Sequence, residues 1–372
     1  MLLAIILMLV GLILGFLRLL TIFTPRPIPP LFKQYLGLHS SLMIIGFITI
    51  LIMYERMSGM ELMPAGEAKY VVKNALLLTV AGYILYLLLM IMRVAGATWV
   101  AIGILFIGGI FFIRYLDLIR ERINRNSYNL FLIAIIAYLS YIYFIAAGSR
   151  NYTAYSLLIL SYPLLFIMAE RIELSKFIPH PRKELLNINP ILGALSVAIL
   201  IIINLIAYSQ ATVAPAILLL ILVANMYRYE HINIRRLLGM GRWLMKYQAI
   251  HLTTAYASAM LGLAVYILFT TILNRLPILD TAIHLIALGF IGNMLLGHGP
   301  AVLSTIQGKS LDEEGLKLHA YILLNGSLIL RVIANIVRTL EVWIPTQLYE
   351  LSGILVILAV PAFLMMVRKA AK

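Results

Sequence analysis

The chain predicts an all-α integral membrane protein of about twelve spanning helices, a single polytopic domain over residues 1–372 with both ends in the cytoplasm. Three observations carry this. The first is composition: of 372 residues, 63% are hydrophobic and 12% charged. The mean hydropathy is +1.00, well beyond soluble domains. The second is a succession of apolar runs long enough to cross a bilayer. The third is charge placement. If the runs alternate in direction, the side that carries both ends holds 21 Lys and Arg, and the opposite side holds six: Arg26, Lys33, Arg93, Arg150, Arg275 and Arg338. The positive-inside rule puts the richer side in the cytoplasm. A net charge of +14 therefore reflects orientation in a cell membrane and partnership with a lipid bilayer, and gives no reason to expect nucleic acid.

The expected spans are 2–22, 36–57, 70–92, 94–117, 128–148, 152–174, 188–209, 211–230, 247–270, 279–302, 317–340 and 346–367. The first has no charged leader and no small-residue cleavage site, so it reads as a helix and not as a removable signal. Thr24–Pro30 follows as a stiff, proline-rich connector. Helix 2 carries His39 in its first turn, Gly46 on almost the same face and Glu55-Arg56 at its far end. Setting Ser41 against Ser156 brings Glu55-Arg56 onto Glu170-Arg171 of helix 6, the trace of an internal duplication in which Ala154 stands opposite His39. Helices 3 to 5 read as scaffold, with Tyr138, Tyr141 and Tyr143 as either a polar route or ordinary interfacial tyrosines. His180, in a Pro-His-Pro turn, and His231, in the basic stretch Tyr227–Lys246, fall in inner loops. That stretch fits either a positive-inside loop or an interfacial helix facing anionic lipid. Ser310-Leu-Asp-Glu313 has the capping-box pattern and should start helix 11 near Leu311.

Helix 10 is the stretch around which the function turns. It holds His284 and His298, and fourteen residues of α-helix would place them roughly 21 Å apart and within about 40° of one face. Gly289, Gly292, Gly297 and Gly299 admit either a flat ligand or a closely packed helix. Sorted by depth, His39 and His284 lie toward the outside, and His251, His298 and His319 toward the cytoplasm. Within the spans, Arg331 and Arg18 reach the outer half, where few acids are evident. Haem propionates would supply the missing anion, or Arg18 would snorkel to headgroups. With no cysteine, any metal or haem must use histidine, methionine, tyrosine or carboxylate.

The phrases His39-Ser-Ser-Leu-Met-Ile-Ile-Gly-Phe, Glu170-Arg-Ile-Glu-Leu-Ser-Lys, His284-Leu-Ile-Ala-Leu-Gly-Phe and Gly297-His-Gly-Pro-Ala-Val-Leu resemble those of NnrS-type multi-span membrane proteins. Behind these stands the subunit I bundle of the haem-copper oxidases. The resemblance implies a low-spin haem b held by outer histidines of helices 2 and 10, the places of His39 and His284, and it associates the chain with haem, copper and nitric-oxide stress. It departs from subunit I in helices 6 and 7, which carry no histidine, so the usual oxygen-reducing copper centre is not implied. Ile286 also stands where helix 10 of the oxidases has a second histidine.

Two readings follow. One is a membrane b-type haem protein in electron transfer or gas response, with a redox partner or a place in a respiratory complex. His39 and His284 would be its ligands, with Arg331 and Arg18 at the propionates. The other is a twelve-helix secondary transporter that uses its intramembrane histidines and Arg331. A second haem or copper site is expected at His298, His319 and His251.

Overall fold

A computed structural model describes residues 1–23, 38–59, 66–92, 94, 97–148, 151–174, 183–206, 209–306, 308–341 and 346–370. The connector at Thr24–Pro30 and His180 lie outside them. Among the described residues there are twelve helices long and apolar enough to cross a membrane, and no β-strand. In chain order they are α1 (Leu2–Phe23), α2 (His39–Ser58), α3 (Gly66–Ile91), α4 (Thr98–Leu118), α5 (Arg125–Ala147), α6 (Tyr152–Leu174), α7 (Asn189–Ile206), α8 (Val213–Gly239), α9 (Trp243–Leu273), α10 (Leu276–Ser304), α11 (His319–Thr339) and α12 (Gln347–Ala370). Hydrocarbon offers the backbone no partner, so each span satisfies its own amides as a helix.

By contacts the chain forms two compact units. One comprises Met1–Leu7 and Met43–Leu222, the other Met8–Leu42 and Val223–Lys372.

In the first unit α3 packs on α4 and α5 on α6. Small residues let the backbones meet: a Cβ at Gly82 would stand 3.0 Å from the Leu105 amide, and one at Gly108 3.3 Å from the Ala75 carbonyl. The Asn124 side chain accepts from the Asn126 amide to start α5, and Gly148, at φ +66°, ends it. The most buried helix is α6. Its Glu170 accepts from Arg56 of α2 at 2.7 Å, and the guanidinium lies over Phe131 and Phe166 at 4.8 and 5.6 Å. Of the two Glu-Arg dipeptides aligned in the sequence, the arginine of one thus pairs with the glutamate of the other.

The second unit contains α9 to α12. Helix α8 runs through Arg235 and Arg236 to Gly239, so most of the basic stretch is neither a loop nor a separate interfacial helix but the last turns of α8. His231 lies on it, half-buried against Tyr227 with ring centroids 5.8 Å apart. The expected start of helix 11 near Leu311 is also corrected. Asp312 caps only a short 3₁₀ turn, Glu313–Gly315, and the helix begins at His319. Tertiary bonds override the local signal: the Asp312 amide donates to the Ala370 carbonyl at 2.7 Å, and Trp243 Nε1 donates to the Leu316 carbonyl at 2.9 Å, so the segment extends along α12 and α9.

Two spans depart from α geometry in the same way. In α2 the eight residues Leu42–Thr49 are π-helical, and in α10 the eight residues Leu285–Gly292 are. Thr49 Oγ1 bonds the Ile44 carbonyl, five residues back, as the wider turn requires. A π turn holds more residues than an α turn, so the count that put His284 and His298 on one face does not hold across α10.

Candidate functional site

Each π stretch follows a histidine closely, and both histidines belong to the second unit. His39 opens α2; its Nδ1 donates to the Gly11 carbonyl of α1 at 2.7 Å. Its ring lies against Gly15, where a Cβ would come within 2.5 Å of Cε1 and 2.6 Å of Nδ1. Only glycine leaves that space. His284 precedes the π stretch of α10; its Nδ1 donates to the Asp280 carbonyl at 2.8 Å and lies 3.3 Å from the Asp280 carboxylate. A carbonyl can only accept, so in both rings the proton sits on Nδ1 and the Nε2 lone pair is left available. Among the described residues no side chain bonds either Nε2. Arg331, Arg18 and Asp280 lie within electrostatic reach of His39, and His39, Arg331 and Asp280 within reach of His284.

Arg331, on α11, does not wait for an outside anion. Its Nε and Nη2 donate to the two oxygens of Asp280 at 2.7 and 2.8 Å. Asn335, one turn further, donates to Asp280 Oδ2 at 2.8 Å and to Thr281 Oγ1 at 3.0 Å. The Tyr349 hydroxyl of α12 in turn donates to Asn335 Oδ1 at 3.0 Å, while its ring stacks on Phe23 of α1 at 4.9 Å. Asp280 is thus held by three hydrogen bonds from Arg331 and Asn335, and holds His284. Reading the sequence for lone charges missed it, although the signal was present in the helical spacing of Asp280 to His284 and of Arg331 to Asn335. Arg18 is half-buried late in α1.

The glycines of α10 serve packing. Gly289 faces Ser258, Gly292 faces Leu324, Gly297 faces His251 and Gly299 faces Phe363.

The other three histidines are placed separately. His251, fully buried on α9, bonds through Nδ1 to Asn293 Oδ1 at 3.1 Å. Asn293 and Asn325 exchange amide bonds at 3.0 and 3.1 Å, and each also donates to its own helix, which fixes both amides and puts the His251 proton on Nδ1. Its Nε2 is buried without a hydrogen-bond partner between the rings of Tyr247 and Tyr321. His298 is half-buried on α10, and His319 is exposed at the start of α11, beside an open pocket of about 790 Å³ lined by Trp243 and Leu316. Among the described residues no group of three or more His, Asp or Glu could hold a metal ion, so the trio His298, His319 and His251 makes no three-ligand cluster.

Residues 1–371 match the family described as Domain of unknown function (DUF8744). The chain belongs to this family. No curated protein and no solved structure matches the chain.

Proposed function

We propose that the second unit holds one b-type haem, with Nε2 of His39 and of His284 as its iron ligands. One observation carries the reading: two intramembrane histidines, within electrostatic reach of each other, both fixed by a main-chain carbonyl at Nδ1 and both without a bond at Nε2 among the described residues. Iron-ligating histidines are characteristically oriented in this way, by an oxygen that takes the far ring proton. Haem held by two imidazoles supplies one-electron exchange, which places the protein in electron transfer beside a redox partner, or in a nitric-oxide or gas response of the NnrS kind.

The chain's own residues prepare the site. Gly15 makes room for the His39 ring, the Gly11 carbonyl sets its tautomer, and Asp280 sets that of His284. Arg331 serves as the counter-charge that keeps Asp280 in place, a role that does not require propionates, and Arg18 lies within electrostatic reach of His39. Copper is the weaker companion, since a three-donor group does not form from His298, His319 and His251.

A visible spectrum of the purified, dithionite-reduced protein is the test. Sharp α and β bands of a six-coordinate b-type haem are expected, and they should be lost in His39→Ala and in His284→Ala. A featureless spectrum after expression with added haem precursor removes the proposal. A transporter is the second reading, favoured by the Asp280–Arg331 pair, because a buried ion pair within a span is a common element of substrate and proton paths.

A further inference from the structure

The open pocket of the second unit has the two-part chemistry of a phospholipid site, independently of the haem reading. It holds about 790 Å³ beside the first turns of α9 and α11. Its floor is apolar: Trp243 of α9, Leu316 and Leu318 of the segment before α11, and Ile322 one turn into α11. The bond from Trp243 Nε1 to the Leu316 carbonyl, at 2.9 Å, fixes the indole in that floor. Its rim is charged. Glu313 is already committed, because Arg242 donates to its Oε1 through Nε at 2.8 Å and Nη2 at 2.5 Å, and the Leu244 amide donates to its Oε2 at 3.3 Å. Glu314 and Lys317 are exposed, and among the described residues neither makes an ion pair. They stand three residues apart, at most about 10 Å along the chain, so a single headgroup reaches both. A rim with one carboxylate and one ammonium complements a group that itself carries both signs, and favours neither a purely anionic nor a purely cationic one.

The pocket also runs on into an apolar track. Ile322 in its floor is 61% exposed, and Ile329 and Ile333 further along α11 are 58% and 46% exposed. Their spacing of seven and four residues puts all three on one stripe of the helix. From Ile322 to Ile333 the helix rises roughly 16 Å, about half of a 30 Å hydrocarbon core. A soluble ligand gains nothing from that stripe, whereas an acyl chain of one leaflet covers its length.

We propose that this pocket binds one zwitterionic phospholipid with an ethanolamine headgroup. Its phosphate meets Lys317 and the exposed ring of His319, its ammonium meets Glu314, and one acyl chain passes Trp243 and Ile322 onto the isoleucine stripe of α11. Ethanolamine is preferred to choline because its ammonium keeps N–H donors for the carboxylate, and a quaternary ammonium has none. It is preferred to an anionic headgroup because Glu314 would then face a second negative charge.

Trp243 reports on the site directly, since the chain has only three tryptophans. With Trp99→Phe and Trp343→Phe, its fluorescence is read in vesicles that mix ethanolamine, choline and glycerol phospholipids, with brominated acyl chains on one of the three at a time. Bromine quenches an indole only on contact. The brominated ethanolamine lipid should quench Trp243 at a several-fold lower mole fraction than either of the others; equal quenching, or a preference for the glycerol lipid, overturns the proposal. Glu314→Gln should reduce the ethanolamine lipid to the level of the choline lipid, and Lys317→Gln should weaken quenching by all three. An ethanolamine preference that survives Glu314→Gln also overturns it. Should the single-tryptophan chain fail to fold, native mass spectrometry of the delipidated wild-type chain decides. On adding back the three lipids in equal amounts, one ethanolamine lipid per chain should be retained ahead of the others, and equal retention rejects the site.

Discussion

Arg331 grips Asp280 at both carboxylate oxygens, at 2.7 and 2.8 Å, inside the unit where Asp280 also takes the His284 ring proton on its main-chain carbonyl. The clamp links α11 to α10 and sets a histidine's tautomer. Removing one partner of a buried pair leaves an uncompensated charge and costs about 3–5 kcal/mol, whereas removing both leaves none. Arg331→Leu and Asp280→Leu should each therefore lower the melting temperature in detergent far more than expected of a surface change, and the double variant should be less damaged than the sum of the two. Additive losses would show that the pair is not a coupled unit.

Gly15 makes a sharper statement about His39. A methyl group there would lie 2.5 Å from Cε1, closer than any carbon contact allows, and His39 cannot retreat without breaking its bond to Gly11. Gly15→Ala should consequently displace the ring and reduce haem retention nearly as far as His39→Ala. Gly103, around which nothing lies within 4 Å, supplies the control: Gly103→Ala should leave haem content unchanged. Equal retention in the two glycine variants would mean that the His39 position is not set by α1.

His251 and Asn293 form a second buried polar group, and its role is distinguishable from that of the first. Asn293→Leu strands the His251 Nδ1–H and the Asn325 amide, at a cost of roughly 1–3 kcal/mol for each polar group left unpaired. A lower melting temperature with an unchanged reduced spectrum is expected. Partial loss of haem signal in that variant, or in His298→Ala, would instead place a second cofactor at this end of α9 and α10.

Twelve spans were legible because hydrocarbon imposes length and apolarity on every one of them, and the helices fall within a few residues of the apolar runs except at α8, where the backbone stays helical past the apolar part. His39 and His284 stood out as polar groups in apolar runs. Asp280 did not, because an acid near a helix start looks like ordinary capping until the fold brings Arg331 beside it. The π stretches were also hidden: Leu42–Thr49 and Leu285–Gly292 have compositions any α-helix would accept, and which carbonyl each amide reaches is decided by packing. For the same reason the capping pattern before α11 misled, since Asp312 finds Ala370 and not a helix to start.

The Arg56–Glu170 pair predicts how the repeated Glu-Arg dipeptides hold the first unit together. Arg56 is held both by the carboxylate, at 2.7 Å, and by the faces of Phe131 and Phe166. Arg56→Lys keeps the charge but loses the planar group that stacks on the rings, so it should destabilise the protein measurably, and Glu170→Gln should do so more strongly. A melting temperature unmoved by Arg56→Lys would reduce the pair to a simple charge contact.

Orientation is the last prediction, and it rests on charge alone. The loops, helix ends and termini on the side of both ends hold 21 Lys and Arg against six on the other, a bias far larger than one loop could produce. The chain has no cysteine, so single cysteines can be introduced on an unreactive background and probed on intact cells with a membrane-impermeant maleimide. Cysteine at Asn274 or Glu341, which flank α9–α10 and α11–α12, should be labelled from outside, and cysteine at Arg122 or Gly241 only after the membrane is opened. The same experiment fixes the depth of the candidate site, because His39 at the start of α2 and His284 two turns into α10 both lie toward the Asn274 side. The reverse labelling pattern would move that site to the cytoplasmic half and exclude a redox partner on the outer face.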